Sequence, residues 1–170
     1  MRAMRVREVT RRGSVAVEFA LVLPLLVGLF LGVIFFGYDF YTYNRLEEVV
    51  RAGARFASNQ EYNVLEGHDP ILMCGSGARE CNVPLTRDAS QLAHRTQDFV
   101  VYGDPAGGTE LLVEGLTADK VSVSVDIKNN RPVRTLVAIT GYPMRTPAGT
   151  ITLTGKPAAV FPWVGNYVGN

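Results

Sequence analysis

Charge is missing from one stretch of this chain. From Phe19 to Tyr38 the sequence reads FALVLPLLVGLFLGVIFFGY, twenty residues with no acidic or basic side chain. The groups that usually carry chemistry are scarce too, with two histidines, two cysteines and one tryptophan in 170 residues. His68 and His94 stand in polar, turn-rich sequence with no serine or cysteine motif around them. Gly75-Ser76-Gly77 lacks the G-x-S-x-G pattern of a nucleophile elbow. Asp104-Pro105-Ala106-Gly107-Gly108 reads as a turn and not a phosphate loop, because no Gly-Lys-Ser/Thr follows. Two cysteines with His68 nearby fall short of the four ligands of a structural zinc site. The sequence therefore predicts no catalytic residue, no metal and no cofactor.

The uncharged run has a direct physical reading. At 1.5 Å per residue, twenty helical residues extend about 30 Å, the hydrocarbon thickness of a bilayer. A secretory signal peptide has a shorter apolar region, about 7–15 residues, with its cleavage site directly after it. Here Asp39 ends the run, and the nearest A-x-A pattern, Ala52-Gly53-Ala54, lies too far downstream. The segment is predicted to be a retained anchor in contact with membrane lipid. Pro24 removes one backbone donor inside it and favours a kink that neighbouring helices can relieve. Gly28 and Gly32 have the spacing that permits close helix contact, although glycine is also simply common in membrane helices.

The net charge of +1 conceals an asymmetry across this anchor. Residues 1–13 carry Arg2, Arg5, Arg7, Arg11 and Arg12 against Glu8 alone, whereas Asp39 to Arg55 holds three acidic and three basic side chains. Arginines beside a span favour the cytoplasmic side. The reading is a single-pass membrane protein with a cytoplasmic amino terminus and everything after Tyr38 on the far side. The arginines are then a topology signal, and nucleic acid is not a partner.

Glu18 breaks the pattern of a plain anchor. A carboxylate directly against the apolar run is costly and marks a functional position by default. It lies five residues after Gly13, which follows the Arg11-Arg12 pair. The pattern Arg-Arg-Gly/Ser-Val-Ala-Val-Glu-Phe, then about twenty apolar residues, resembles the processing site of type IV prepilins. More narrowly, GSVAVEFALVLPLLVGLFLGVIFFG with the later Arg51-Ala-Gly-Ala-Arg-Phe-Ala57 stretch is similar to the TadE/TadF family of tight-adherence pilus systems, over about residues 11–58.

That resemblance implies a minor pilin-like, or pseudopilin, role. A prepilin peptidase would cut between Gly13 and Ser14, where glycine lets the protease approach the backbone closely. The processed chain would leave the membrane with other pilins or pseudopilins of the system, driven by a cytoplasmic ATPase through inner-membrane platform proteins. Glu18 would be an assembly carboxylate, meeting the new Ser14 amine of a neighbouring subunit. The competing reading is a generic single-pass anchor carrying a periplasmic β domain that acts as an adhesin or interaction module.

Four segments are predicted: a basic leader at 1–13, disordered or lying on headgroups; a transmembrane helix at 14–38; an amphipathic helical extension at 39–60; and a periplasmic domain at 61–170. In the extension Leu46, Val49, Val50, Gly53, Phe56 and Ala57 recur at helical spacing between charged positions, so this half should cradle the domain. Tyr38, Tyr41 and Tyr43 suit the membrane interface. Cys74 and Cys81 flank a glycine-rich turn and, in an oxidising compartment, are expected to close a small disulfide loop.

Strands are predicted from the alternation of Val121, Val123, Val125 and Ile127 with polar residues, and at 99–102, 111–113, 135–142 and 150–154. The turn formers Gly67-His68-Asp69-Pro70 and Asn129-Asn130-Arg131-Pro132 separate elements, and a short helix capped by Thr86 is expected over 86–97. The aromatic tail Val160 to Tyr167 is expected to close the core, with an exposed contact as its alternative use. The fold class is α+β: a long amino-terminal helix packed on a small antiparallel sheet, pilin-like.

Overall fold

The computed structural model describes residues 3–60, 74, 78–129, 131–146 and 149–165. Its first element, α1, is one helix of 56 residues, Ala3–Ser58, that runs through Pro24. It starts well before Ser14, so the leader from Ala3 onward is helical rather than unstructured. Arg, Met, Glu and Ala are all good helix formers, and extending an existing helix needs no new nucleus. Two compact units are distinguished, Met1–Phe40 and Tyr41–Asn170.

The second unit is built on four strands: β1 (Glu80–Leu85), β2 (Val121–Lys128), β3 (Arg131–Thr146) and β4 (Gly149–Pro162). They form one antiparallel meander in the order β1-β2-β3-β4. The predicted α+β architecture is what the chain adopts. In β2, Val121, Val123, Val125 and Ile127 are buried as the alternation requires, and Val137 and Ile139 of β3 lie beside them. Asn129, at φ 49, makes the left-handed turn that ends β2, a conformation asparagine tolerates better than most residues. Asn130 of the predicted turn lies outside the described residues, as does Gly67-His68-Asp69-Pro70.

Between β1 and β2 runs α2 (Gln91–Tyr102). Here the structure corrects two expectations. Thr86 does not cap the helix. It opens a turn whose carbonyl accepts from Ala89 and Ser90, and Ser90 is the cap, its hydroxyl accepting from the Ala93 amide at 3.4 Å. Residues 99–102, read as a strand from their β-branched pair, are the last turn of α2, closed by Gly103 at φ 80. Leu92, Ala93, Thr96, Val100 and Val101 form one buried stripe, and tertiary packing of that stripe outweighs the local β preference of two valines. The strand expected at 111–113 is also absent. That segment folds back instead on the end of α2, the Leu112 amide donating to the Val101 carbonyl at 2.9 Å.

β1 escaped the sequence reading, and Pro84 explains why. Proline argues against a strand unless the strand is at an edge, and β1 is an edge. Beyond Ile139, β3 leaves β2 behind and pairs with β4 alone. Register shifts at Thr140 and Tyr142 accompany this departure, with Gly141 at φ 78 and Gly155 at φ 71 supplying backbone that other residues adopt at a cost.

The core is shared by both helices and the inner sheet face. From α1 it takes Leu46, Val49, Val50, Ala54 and Ala57, with Gly53 buried on the same stripe. The two helices pack tightly at Gly53, where an added Cβ would collide with Val100 Cγ2. Phe56 and Phe99 stack beside it, ring centroids 4.7 Å apart.

Candidate membrane and assembly segments

In the first unit nearly everything apolar is exposed. Leu21, Leu25 and Phe36 keep 73%, 70% and 73% of their surface, which is not how a soluble core helix is built. The segment from Val15 is long and apolar enough to cross a membrane, with a mean hydropathy of 2.8 over its best window. A helix that is apolar all round and unburied requires a lipid or protein environment. Pro24, Gly28 and Gly32 recur every four residues and share one helix face. A Cβ added at either glycine would meet nothing within 4 Å, so this face is open.

Gly13, Ser14 and Glu18 all lie inside α1. Ser14 and Glu18 stand four positions apart and therefore on the same face, about 6 Å apart along the axis. Glu18 is exposed. These residues and the Pro24–Gly28–Gly32 face belong to the first unit, whereas the cysteines belong to the second. Cys74 is bonded to Cys81, the second residue of β1, with the two Cα atoms 5.5 Å apart. The intervening Gly75-Ser76-Gly77 lies outside the described residues.

In the second unit, two polar arrangements were not anticipated. Asp98 of α2 has a side chain only 3% exposed, with Arg87 Nη2 at 2.8 Å and His94 Nδ1 at 3.1 Å. The arginine is close enough to pair but is not aligned as a hydrogen bond, so the attraction is chiefly coulombic. This cluster ties the turn after β1 to the middle of α2. No local motif announces it, since Arg87 lies outside the helix that carries Asp98. His68 lies outside the described residues, and among the described residues no group of three or more His, Cys, Asp and Glu could hold a metal ion.

The second arrangement joins the end of β4 to the end of α1. The Val164 and Gly165 amides both donate to the Ser58 carbonyl, at 2.9 and 3.0 Å, while the Trp163 amide donates to Val133. Carbonyls in the last turn of a helix lack partners within it, and here the returning chain supplies them. Phe161 and Trp163 are partly buried against the core, as expected of the tail, while Val160 and Val164 stay exposed. Tyr167 lies outside the described residues. Between β4 and the outward face of α1 runs a groove of about 560 Å³, lined by Glu47, Glu48, Arg51, Arg55 and the stretch Ala158–Phe161. Arg55 lies over the Phe161 ring, 5.6 Å from its centroid.

Comparison with known proteins places the recognisable part of the chain in this same amino-terminal region. Residues 13–55 match the family model described as TadE-like protein. No curated protein and no solved structure matches the chain.

Proposed function

We propose that the TadE-like segment at residues 13–55 makes this chain a minor pilin-like component of a tight-adherence pilus assembly apparatus. The observation that carries the reading is where the match begins. It starts at Gly13, continues through Glu18 and the apolar run, and stops at Arg55 near the end of α1. The matched residues cover those read here as junction, anchor and extension, which supports the reading.

In this reading residues 1–13 are a basic leader held on the cytoplasmic side by its arginines. Residues 14–38 span the inner membrane, 39–60 extend the helix, and 61–170 form a periplasmic domain. A prepilin peptidase cuts between Gly13 and Ser14. The chain is thus the substrate of an enzyme and not an enzyme itself. The freed Ser14 amine and the Glu18 carboxylate share a helix face, and between subunits they form a pair that offsets the cost of a charge in the membrane. The partners are the peptidase, other pilins or pseudopilins of the system and the inner-membrane platform. The open Pro24–Gly28–Gly32 face gives a neighbouring helix room to approach. The disulfide agrees with an oxidising compartment.

The test is the intact mass of the protein from peptidase-positive and peptidase-null cells. The two should differ by the segment Met1 to Gly13, and Gly13→Arg should behave like the null. Identical full-length masses would refute the reading and leave a plain anchored domain.

A further inference from the structure

The groove beside β4 sets an open sheet edge against a helix, and both of its walls belong to the second unit. No strand lies outside β4, and between Pro157 and Pro162 its edge is Ala158, Ala159, Val160 and Phe161, without a charge. In an antiparallel pair, alternate residues turn their N–H and C=O groups away from the partner strand, so half of this stretch aims its backbone off the sheet. Among the described residues no backbone hydrogen bond joins that edge to α1. Sheet edges are ordinarily blunted by charges or covered, yet here Val160 stays 53% exposed. The opposite wall is the α1 face of Glu47, Glu48, Arg51, Ala52 and Arg55.

Most charges on that wall are satisfied by one another. Arg51 pairs with Glu47, and Glu48 pairs with Arg45 of the same helix. Arg55 is different: among the described residues it has no carboxylate partner and lies over the Phe161 ring. The groove thus holds one uncommitted cation, at the end where β4 finishes. Just past it the groove is shut along its axis. The chain leaving β4 crosses to α1, where the Val164 and Gly165 amides donate to the Ser58 carbonyl, about one helical turn beyond Arg55. A Cβ at Gly165 would collide with the Gln60 carbonyl oxygen, so the crossing chain sits tight on the helix end. An extended segment lying along β4 has to stop at Arg55.

We propose that this groove takes the free carboxyl terminus of another protein as an added strand, parallel to β4, with the terminal carboxylate on Arg55. Addition to an open edge gives affinity through main-chain hydrogen bonds, and a capture point for the chain end gives polarity. Ala158–Phe161 amount to about 13 Å of strand, so the groove holds about four terminal residues. Charge decides the direction. Because β4 runs towards the closed end, a parallel strand brings its last residue to the cation. An antiparallel strand would bring its free amine there instead, which Arg55 repels. Side chains turned towards α1 pass over the exposed methyl of Ala52, so uncharged β-forming residues suit those positions. The inference concerns the second unit alone and goes beyond the pilus reading without depending on it.

The test is fluorescence anisotropy with the detergent-solubilised full chain. The probe is a pool of short peptides, fluorescein at the amino end, a free carboxyl terminus, and final positions randomised over Ala, Val, Ile, Thr and Ser. Binding should be saturable and weaken about tenfold when the same pool is amidated, because a charge-assisted hydrogen bond is lost. Arg55→Glu should weaken the carboxylate pool as much and reverse the preference in favour of the amide, whereas Arg55→Lys should keep the wild-type preference. N-methylation of the peptide amides at one alternate set of positions should abolish binding, and at the other set leave it intact, as expected of a strand bonded along one edge. The comparison of pools on wild-type protein needs no substitution and decides the matter if Arg55→Glu fails to fold, which the Cys74–Cys81 bond reports. No saturable binding, equal binding of the carboxylate and amide pools, or indifference to which amides are methylated would each overturn the proposal. So would a dimer of the chain that the pool does not dissociate and that loses its partner in Arg55→Glu, since the groove would then be filled by a second copy.

Discussion

Gly53 of α1 packs against Val100 of α2, and replacing it sets two opposed effects against each other. In an exposed helix interior, Gly→Ala stabilises by about 0.8–1 kcal/mol, because alanine loses less backbone freedom on folding. At Gly53 the new methyl would overlap Val100 Cγ2. Val100 is fully buried, and its branched Cβ leaves it one favoured rotamer in a helix, so it cannot swing aside. Overpacking of this kind costs about 1–3 kcal/mol. The sum for Gly53→Ala is a net loss of roughly 0–2 kcal/mol, and Gly53→Val, with a bulkier side chain and poorer helix propensity, should lose more.

The single tryptophan, Trp163, is packed against the core and provides the readout. Urea unfolding of the detergent-solubilised full chain, followed by its fluorescence, should show the midpoint falling in the order wild type, Ala, Val. The clean measure is the cycle with Val100→Ala. Removing the colliding methyls should make Gly53→Ala close to neutral or stabilising in that background, with a coupling of about 1 kcal/mol or more between the two sites. If Gly53→Ala stabilised the wild-type protein by the full propensity gain of about 1 kcal/mol, the close approach of the two helices would be refuted.

Other outcomes follow from single features. Glu18→Ala should insert at least as well as wild type, since it removes a charge that costs up to about 2.5–3.5 kcal/mol at a membrane centre, and should still be cut at Gly13. It should nevertheless disappear from the sheared pilus fraction, as should Glu18→Gln, and wild-type yield of either would exclude an assembly role for the carboxylate. Thiol labelling of denatured, unreduced protein should find no free cysteine, whereas Cys74→Ser should expose Cys81 and lower stability by at most about 3 kcal/mol for so short a loop. Asp98→Asn should cost about 1–3 kcal/mol in the same urea assay, because it strands Arg87 beside a neutral group while Arg87 itself stays partly solvated. An unchanged midpoint would mean that the Arg87–Asp98 pair contributes nothing to stability.

How far the sequence alone reaches depends on whether each signal is local. The apolar run, the stripe Leu46–Val49–Val50–Gly53–Ala57 and the alternation of Val121 to Ile127 each repeat with one period over several turns or pleats, and all three form the elements they predict. The failures lie where one local preference is answered by a distant partner. Val100 and Val101 have strand propensity, yet they are helical because Gly53, far away in sequence, leaves space for Val100. β1 is written in only six residues with a proline among them, and it exists because β2 offers it an edge. Arg87 and Asp98 are unremarkable apart and meaningful only when the turn after β1 folds back. The candidate site divides the same way. Gly13, Ser14, Glu18 and the Pro24–Gly28–Gly32 face could be named from sequence because all of them lie along one continuous helix. The groove was not, because half of it is the rim of β4, and only the meander brings Ala158 to Phe161 alongside Arg51 and Arg55. A groove made by one helix and one sheet edge has no period of its own, so it becomes visible only after the fold that joins them.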